Sequence, residues 1–561
     1  MAVSTVAVDY ELKLTDTKAA TGFFTCLPGP PPGFEQGLEL LRSRPLDDFL
    51  HRYLLTDVLS RPFGELEELA SAACAANDPF LLALLHEARL IKGGDFPRLP
   101  PADGLEQYSS LVYLRSMEPQ RRAIHQRWQE VLKQNLLEHK LPVAVSEAGL
   151  PPLYRDIADG GLPDRGPELA ERFAASGFRL PESDRRPLED TLAEVSARLE
   201  ALDVFRGPEV RHAASLSPIA YLRRWRLSVT VASGRNHYRL GGIQTSYGRG
   251  LSPEAARVSC LMEMVERLSS FVSVDGKRLV DSAGRRELVF GSRRQLEKRG
   301  LPVLDPNRMR LDVPYNQERL YWVEGKTGAG RSLFVPAQAV FLFSNLDEPG
   351  LFSGLGSTGL AAGNNATEAR LAGLLEVVER DADASMPFDP AACFRLETAN
   401  AHLQPLFRAY EEQGIAICFQ DITTEFGIPC YRCFVRDRQG KIIRGTGAHL
   451  DGRRAAMAAL TETGYPFPAG PPSAPCPPGL PVRRFEDLPN FDTNRSAANL
   501  ELVSGQLTAR GFEPVYVDLT RKDLGFPVSR ALVPGLEWLA DFDRFATVSP
   551  RLYRNYCRLF A

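Results

Sequence analysis

The sequence contains no apolar run near the roughly 18–20 residues that a membrane-spanning helix needs, and its start, MAVSTVAVDYELKLTD, lacks a basic segment followed by an apolar one. The chain is therefore expected to be cytoplasmic, with no membrane segment. Net charge is equally scarce, since 67 Lys plus Arg face 70 Asp plus Glu, a formal −3. That balance excludes a global electrostatic drive toward nucleic acid or anionic membrane, so any anion site must be built locally. Nine cysteines scattered over 561 residues follow no framework spacing, and reduced thiols are expected rather than disulfides. Cys430 and Cys433 form the only C-x-x-C; they lie in PCYRCFVRD, which reads as a strand, with no second pair to complete a zinc site. Standard nucleotide motifs are missing too. There is no G-x-x-x-x-G-K-[ST], and the glycine-rich SGLGSTG (353–359) has no following lysine.

What is present changes texture along the chain. Residues 25–35, TCLPGPPPGFE, are rich enough in Pro and Gly to be expected as a loop or tether, within a flexible N-terminal segment over 1–36. Over 37–205 the periodicity is helical: LEELASAACAANDPFLLALLHEARLI predicts two helices broken at AANDP, with Asn77 or Asp78 as cap and Pro79 in the next first turn. This region is expected to be an all-helical module for partner or substrate binding, with no chemistry of its own. From about 206 to 561 short β-branched and aromatic runs (LSVTVAS, YWVEG, IAICFQDI, PVYVDL, PVSRALV) alternate with helical patterns. The fold class is therefore α+β, a mixed α/β unit preceded by the helical module. The proline-rich FPAGPPSAPCPPGLPV (467–482) is expected to be a connector rather than a lid.

Within the mixed unit, VSCLMEMVERL (258–268) places Ser259, Glu263, Glu266 and Arg267 on one arc of a helix, with Val258, Leu261, Val265 and Leu268 opposite. A second helix, in GLAAGNNATEARLAGLLEVVERDADA (359–384), puts Glu376, Glu379 and Arg380 in the same places 113 residues later. The offset also aligns Gly250 with Gly363, and Ala256 and Arg257 with Ala369 and Arg370, so an internal duplication explains the pair better than coincidence. One E-x-x-E-R helix is ordinarily a solvated face. Two in register bring four carboxylates together, which repel unless cations lie between them; that is the logic of a Mg²⁺ site for a polyphosphate, with Glu263, Glu266, Glu376 and Glu379 as metal ligands. Arg267 and Arg380 then orient carboxylates or contact phosphate oxygens. Backbone N–H groups of SYGRG (246–250) and LAAGNN (360–365) are placed to help hold phosphates at the helix starts.

At these residues the sequence resembles the YcaO family. The family pattern S-x-x-x-E-x-x-E-R is matched by Ser259, Glu263, Glu266 and Arg267, and its second helix by Glu368, Glu376, Glu379 and Arg380. GTGAHLDGRRAAMAALTET (445–463) and VDLTRKDLGFPVSRALVPGLE (517–537) add to the likeness, which spans most of 206–537. The resemblance implies an ATP- and Mg²⁺-dependent enzyme that activates a peptide backbone amide. A Cys, Ser or Thr side chain, or an external sulfide, adds to the carbonyl; the oxyanion takes the γ-phosphoryl group of ATP; phosphate then leaves, giving an azoline or a thioamide. It further implies that Ser259 and Glu368 contact the nucleotide, that the substrate is a peptide or protein as in RiPP biosynthesis, and that a TfuA-like sulfur-delivery or leader-binding protein is a candidate partner. A homodimer is compatible with it. Departures are Ala372 where the family has Gln or Asn, Ala361 where it has a small hydroxyl residue, and TGYPFPAG after Glu462 in place of a polar stretch ending in Arg. The closing RLYRNYCRLFA lacks the proline-rich tail that resembles the azoline-forming hallmark, which favours the thioamide. The alternative is a catalytically degenerate relative that assists a separate peptide- or ribosomal-protein-modifying (methylthiolation) enzyme. Because every proposed ligand lies beyond 205, residues 206–561 are expected to keep nucleotide affinity alone.

Overall fold

A computed structural model describes residues 7–15, 23–116, 119–145, 147–154, 168–177, 179–284, 286–540, 542–543 and 545–560. Three sheets organise them. In the first, Phe23–Pro28, Val8–Thr15, Asn236–Gly250, Ile219–Ser233, Val274–Asp275 and Arg278–Leu279 lie side by side, with Val210–Arg211 pairing to Ile219–Ser233. The second runs Ser332–Pro336, Leu320–Thr327, Val515–Asp518, Val528–Leu532, Leu360–Ala362, with Val289–Gly291 at its side. The third runs Ile442–Ala448, Cys430–Arg436, Cys418–Asp421, Cys393–Glu397, Val482–Arg484. Helices pack on these sheets, so the mixed α+β class is as expected.

The N-terminal segment departs from expectation. Val8–Thr15 pairs antiparallel with Phe23–Pro28 and parallel with Asn236–Gly250. Alternation decides it: Tyr10 and Leu12 point into the core and Glu11 and Lys13 outward, the period-two signature of a half-buried strand. At Thr25–Pro28 that pairing overrides the Pro/Gly signal, because proline is tolerated at the end of an edge strand.

The helical region follows the sequence closely. Asp78 accepts the N–H groups of Phe80 and Leu81 to cap Pro79–Lys92, while Asn77, at φ 50°, ends Phe63–Ala76 in the left-handed conformation. Its apolar faces are not its own, however. One continuous hydrophobic cluster holds Leu38, Leu50, Leu54 and Leu84 together with Trp225, Val231, Leu240, Met264 and Val517. Helices of 34–92 thus cover a sheet of the mixed unit.

Cys430 and Cys433 are buried on a strand, as read. Cys418 and Cys476 form a disulfide, against the expectation of reduced thiols throughout; the other seven cysteines are free. The disulfide joins the proline-rich segment to the third sheet, which brings together two residues 58 positions apart that sequence spacing could not pair. Among the described residues no helix is long and apolar enough to cross a membrane.

Candidate functional site

The first acidic helix, Pro253–Ser270, starts at Ser252, whose hydroxyl accepts the Ala255 N–H, with Pro253 in its first turn. It lies against the strand Asn236–Gly250 so tightly that a Cβ on Gly248 would come 2.0 Å from the Ala256 carbonyl oxygen. The closeness lets Glu263 reach the strand: its Oε2 accepts the Tyr247 N–H at 2.9 Å. Arg267 lies 3.6 Å from Glu263 and 3.1 Å from Glu266.

The second acidic helix, Ala366–Ser385, repeats this device. Asn365 caps it by accepting the Glu368 N–H. Glu376 Oε2 accepts the Gly359 N–H at 3.0 Å, and Arg380 lies 3.6 Å from Glu376, the spacing of Arg267 and Glu263. Gly359 has φ 81° and nestles against Gly373, where a Cβ would meet its carbonyl oxygen at 2.5 Å, so this approach is open to glycine only. Glu379 accepts the Thr446 hydroxyl at 2.9 Å. The duplication is therefore one of conformation as well as of sequence.

The two helices share one field. Burial pushes Glu266 up to about 8, with Glu376 of the other helix and Glu263 adding to it against Arg267. Burial likewise pushes Glu379 up to about 8, with Glu376 and Glu462 adding and Arg380 opposing. Glu263 is raised for the same first reason. Thus Glu263, Glu266, Arg267, Glu376, Glu379 and Arg380 form one cluster. Ser259 is on the exposed side of its helix. Glu368 is buried, and its carboxylate accepts the Asn364 N–H and the side-chain amides of Asn364 and Asn365, bonds that fix the start of the helix.

Sequence reading assigned no site role to two residues of the cluster. Glu462 ends a third helix, Gly452–Glu462, whose cap Asp451 and whose Glu462 stand 86 residues after Asn365 and Glu376. The same offset was available in the sequence as a signal. This helix too presses on its strand, for a Cβ on Gly447 would lie 2.3 Å from the Ala455 carbonyl oxygen. Glu462 pairs with Arg249. The second residue is Arg530, on the strand Val528–Leu532, 0 % exposed, whose Nη2 donates to the Gly356 carbonyl at 2.9 Å. Burial pushes its guanidinium down to about 10, with Glu376 and Glu266 holding it up and Arg267 opposing them. Arg530 lies within the family-like segment 517–537 but is not singled out by it; its place follows from strand pairing.

Beyond Arg530 a cavity of about 90 Å³ is lined by Arg310, Phe352, Gly356, Glu537, Trp538 and Leu552 among others. Among the described residues no three His, Cys, Asp or Glu converge closely enough to hold a metal by themselves. Mg²⁺ ions held here would each take no more than two of these carboxylates, with water and phosphate oxygens completing the shell. The donor set, hard carboxylates with adjoining guanidinium groups, fits a magnesium nucleotide.

A family model described as YcaO cyclodehydratase, ATP- and Mg²⁺-binding, matches residues 247–465 and 472–537. A protein of uncharacterised function from Methanothermobacter thermautotrophicus is 26% identical over 397 residues, 63% of this chain and 94% of that protein. A protein named for lying in the tfuA 3′ region of Rhizobium leguminosarum bv. trifolii is 28% identical over 260 residues, 42% of this chain and 57% of that one. In fold, the chain is similar to a heterocyclase solved in complex with substrate and cofactor, with a TM-score of 0.50, 19% identity, and coverage of 65% of this chain and 55% of the heterocyclase. The chain thus spans just over half the length of the rhizobial protein and of the heterocyclase.

Proposed function

Because this chain belongs to the YcaO family, whose members bind ATP and Mg²⁺, we propose that it activates a backbone amide of a peptide or protein by ATP-dependent O-phosphorylation, leading to a thioamide with a sulfur donor or to an azoline. The observation that carries this reading is the pair of acidic helices with matching capping, matching strand contacts and matching Glu–Arg spacing. The amide oxygen is a poor leaving group, and bound Mg²⁺–ATP supplies the phosphoryl group that makes it a good one. Glu263, Glu266, Glu376 and Glu379 would hold the metal, and Ser259 the nucleotide. Arg267 and Arg380 fix the carboxylate rotamers and offset their mutual repulsion. Glu368 supports the site at one remove, by fixing the start of the second helix.

One feature favours the thioamide: a relative is named for its place beside tfuA, which supports a TfuA-like partner. The cellular site in this reading is the cytoplasm. Ala361, Ala372 and the segment 464–470 depart from the family pattern and favour the second reading, a nucleotide-binding relative that assists a separate modifying enzyme. Mass spectrometry of a peptide co-expressed with the protein separates the outcomes: oxygen-for-sulfur exchange, loss of water, or no change. An unmodified peptide together with absence of peptide-dependent phosphate release would sink the enzymatic reading.

A further inference from the structure

The cluster holds a cation whose hydrogen-bonding capacity is left over. Arg530 is 0 % exposed, yet Nε and Nη1 have no hydrogen-bond partner among the described residues; only Nη2 is used, toward the Gly356 carbonyl. Its guanidinium carbon lies 5.5 Å from the ring centroid of Trp538, which with Gly356 lines the cavity. The nearby acids are already engaged. Glu376 accepts the Gly359 N–H and pairs with Arg380, and Glu266 pairs with Arg267. A buried donor left without a partner bears the full cost of its lost hydration, more when it is charged. Tying down one loop carbonyl needs a single N–H, which a smaller neutral side chain could supply, so it does not account for a buried guanidinium.

We propose that Arg530 is an anion-contacting residue of this site, its free Nε and Nη1 donating to phosphate oxygens of the bound nucleotide. Guanidinium suits this role because it stays charged when buried and binds phosphate through directed N–H groups. Arg530 enters from the strand Val528–Leu532, whereas Arg267 and Arg380 enter from the two acidic helices, so the phosphates are held from a further direction. The inference rests on the nucleotide reading proposed above.

The test is titration of the full-length protein with Mg²⁺–AMPPCP by calorimetry, beside thermal melts with and without that ligand, for wild type, Arg530→Gln, Arg530→Lys and Glu376→Ala. Arg530→Gln is expected to weaken Mg²⁺–AMPPCP by roughly 10- to 100-fold, the worth of one or two charged hydrogen bonds. Arg530→Lys, which restores the charge, is expected to fall between Gln and wild type. The ligand-free melting temperature of Arg530→Gln should equal or exceed that of wild type, because a buried charge with unmade bonds has been removed. A purely structural role would instead lower that temperature and leave affinity unchanged. Unchanged affinity in Arg530→Gln, with Glu376→Ala defective, overturns the assignment of Arg530 alone. Failure of wild type to bind overturns the nucleotide reading and this inference with it, whereas wild-type affinity in Glu376→Ala puts the nucleotide away from these carboxylates and overturns this inference.

Discussion

Glu263 and Glu376 each use Oε2 on a backbone N–H, of Tyr247 and Gly359, and each keeps Oε1 at 3.6 Å from a helix arginine, too far for a hydrogen bond and close enough for a bound cation to compete for it. Glu263→Ala and Glu376→Ala should therefore each abolish Mg²⁺-dependent nucleotide binding; two titrations matching wild type would refute the metal-site assignment. Glu266 and Glu379 add a pH dependence. Their folded values, about 8, stand above the ordinary 4.5, so between these limits the folded protein keeps protons that the unfolded chain has released. These groups consequently oppose folding more and more as pH rises from about 5 to about 8. The ligand-free melting temperature should fall across that window, and Glu266→Gln should flatten the fall. Binding of Mg²⁺–AMPPCP near neutral pH should release protons, visible as a heat that varies with the ionisation enthalpy of the buffer.

Helix placement rests on contacts too close for a side chain. At Gly248 an added Cβ would meet the Ala256 carbonyl oxygen at 2.0 Å and the Cys260 nitrogen at 2.3 Å, both backbone atoms that cannot swing aside. Gly248→Ala should therefore lift the first acidic helix from its strand, cost about 1–3 kcal/mol in stability, and weaken nucleotide binding by moving Glu263 from Tyr247. Melting and titration on the same preparation check both effects. The second acidic helix is fastened from its far side by the C-terminal helix Pro550–Leu559. There Arg551 pairs with Asp381 at 2.8 Å and with Glu425 at 2.6 Å. Burial pushes Asp381 up to about 6 against the pull of Arg551, whereas Glu425 is held below the usual carboxylate range by that guanidinium. Arg551→Met would leave the buried Asp381 without its cation and Glu425 with Arg554 alone, a loss of about 3–5 kcal/mol that a denaturant melt would register.

At the scale of the whole molecule, the fragment 206–561 holds every candidate ligand but not every part of the core. Leu50, Leu54 and Leu84 from the N-terminal helices pack in the same cluster as Trp225 and Met264, and Val8–Thr15 supplies a strand beside Asn236–Gly250. Removing them would bare the face on which the first acidic helix is built. The fragment is now expected to be insoluble or to melt well below the full chain, contrary to an expectation based on ligand positions alone. A soluble fragment with full nucleotide affinity would show the N-terminal region to be dispensable.

The acidic helices were legible because their information is local and repeated: Ser252, Glu263, Glu266 and Arg267 carry cap, carboxylates and guanidinium at helical spacing, and the 113-residue repeat removes the ambiguity of a single copy. The break at Asn77–Asp78–Pro79 was legible for the same reason, since capping is decided within a few residues. Val8–Thr15 was missed although its alternation is present, because a lone strand has meaning only beside its partners. Arg530 lay in an ordinary strand pattern, and only the pairing of Val528–Leu532 with Leu360–Ala362 carries it beneath the carboxylates. The sequence by itself determined which side chains share a helix face, because 3.6 residues per turn is a property of the local backbone. Tertiary structure alone decided which faces meet, which carboxylates hold protons and which guanidinium has bonds to spare, because burial and long-range charge depend on residues hundreds of positions apart.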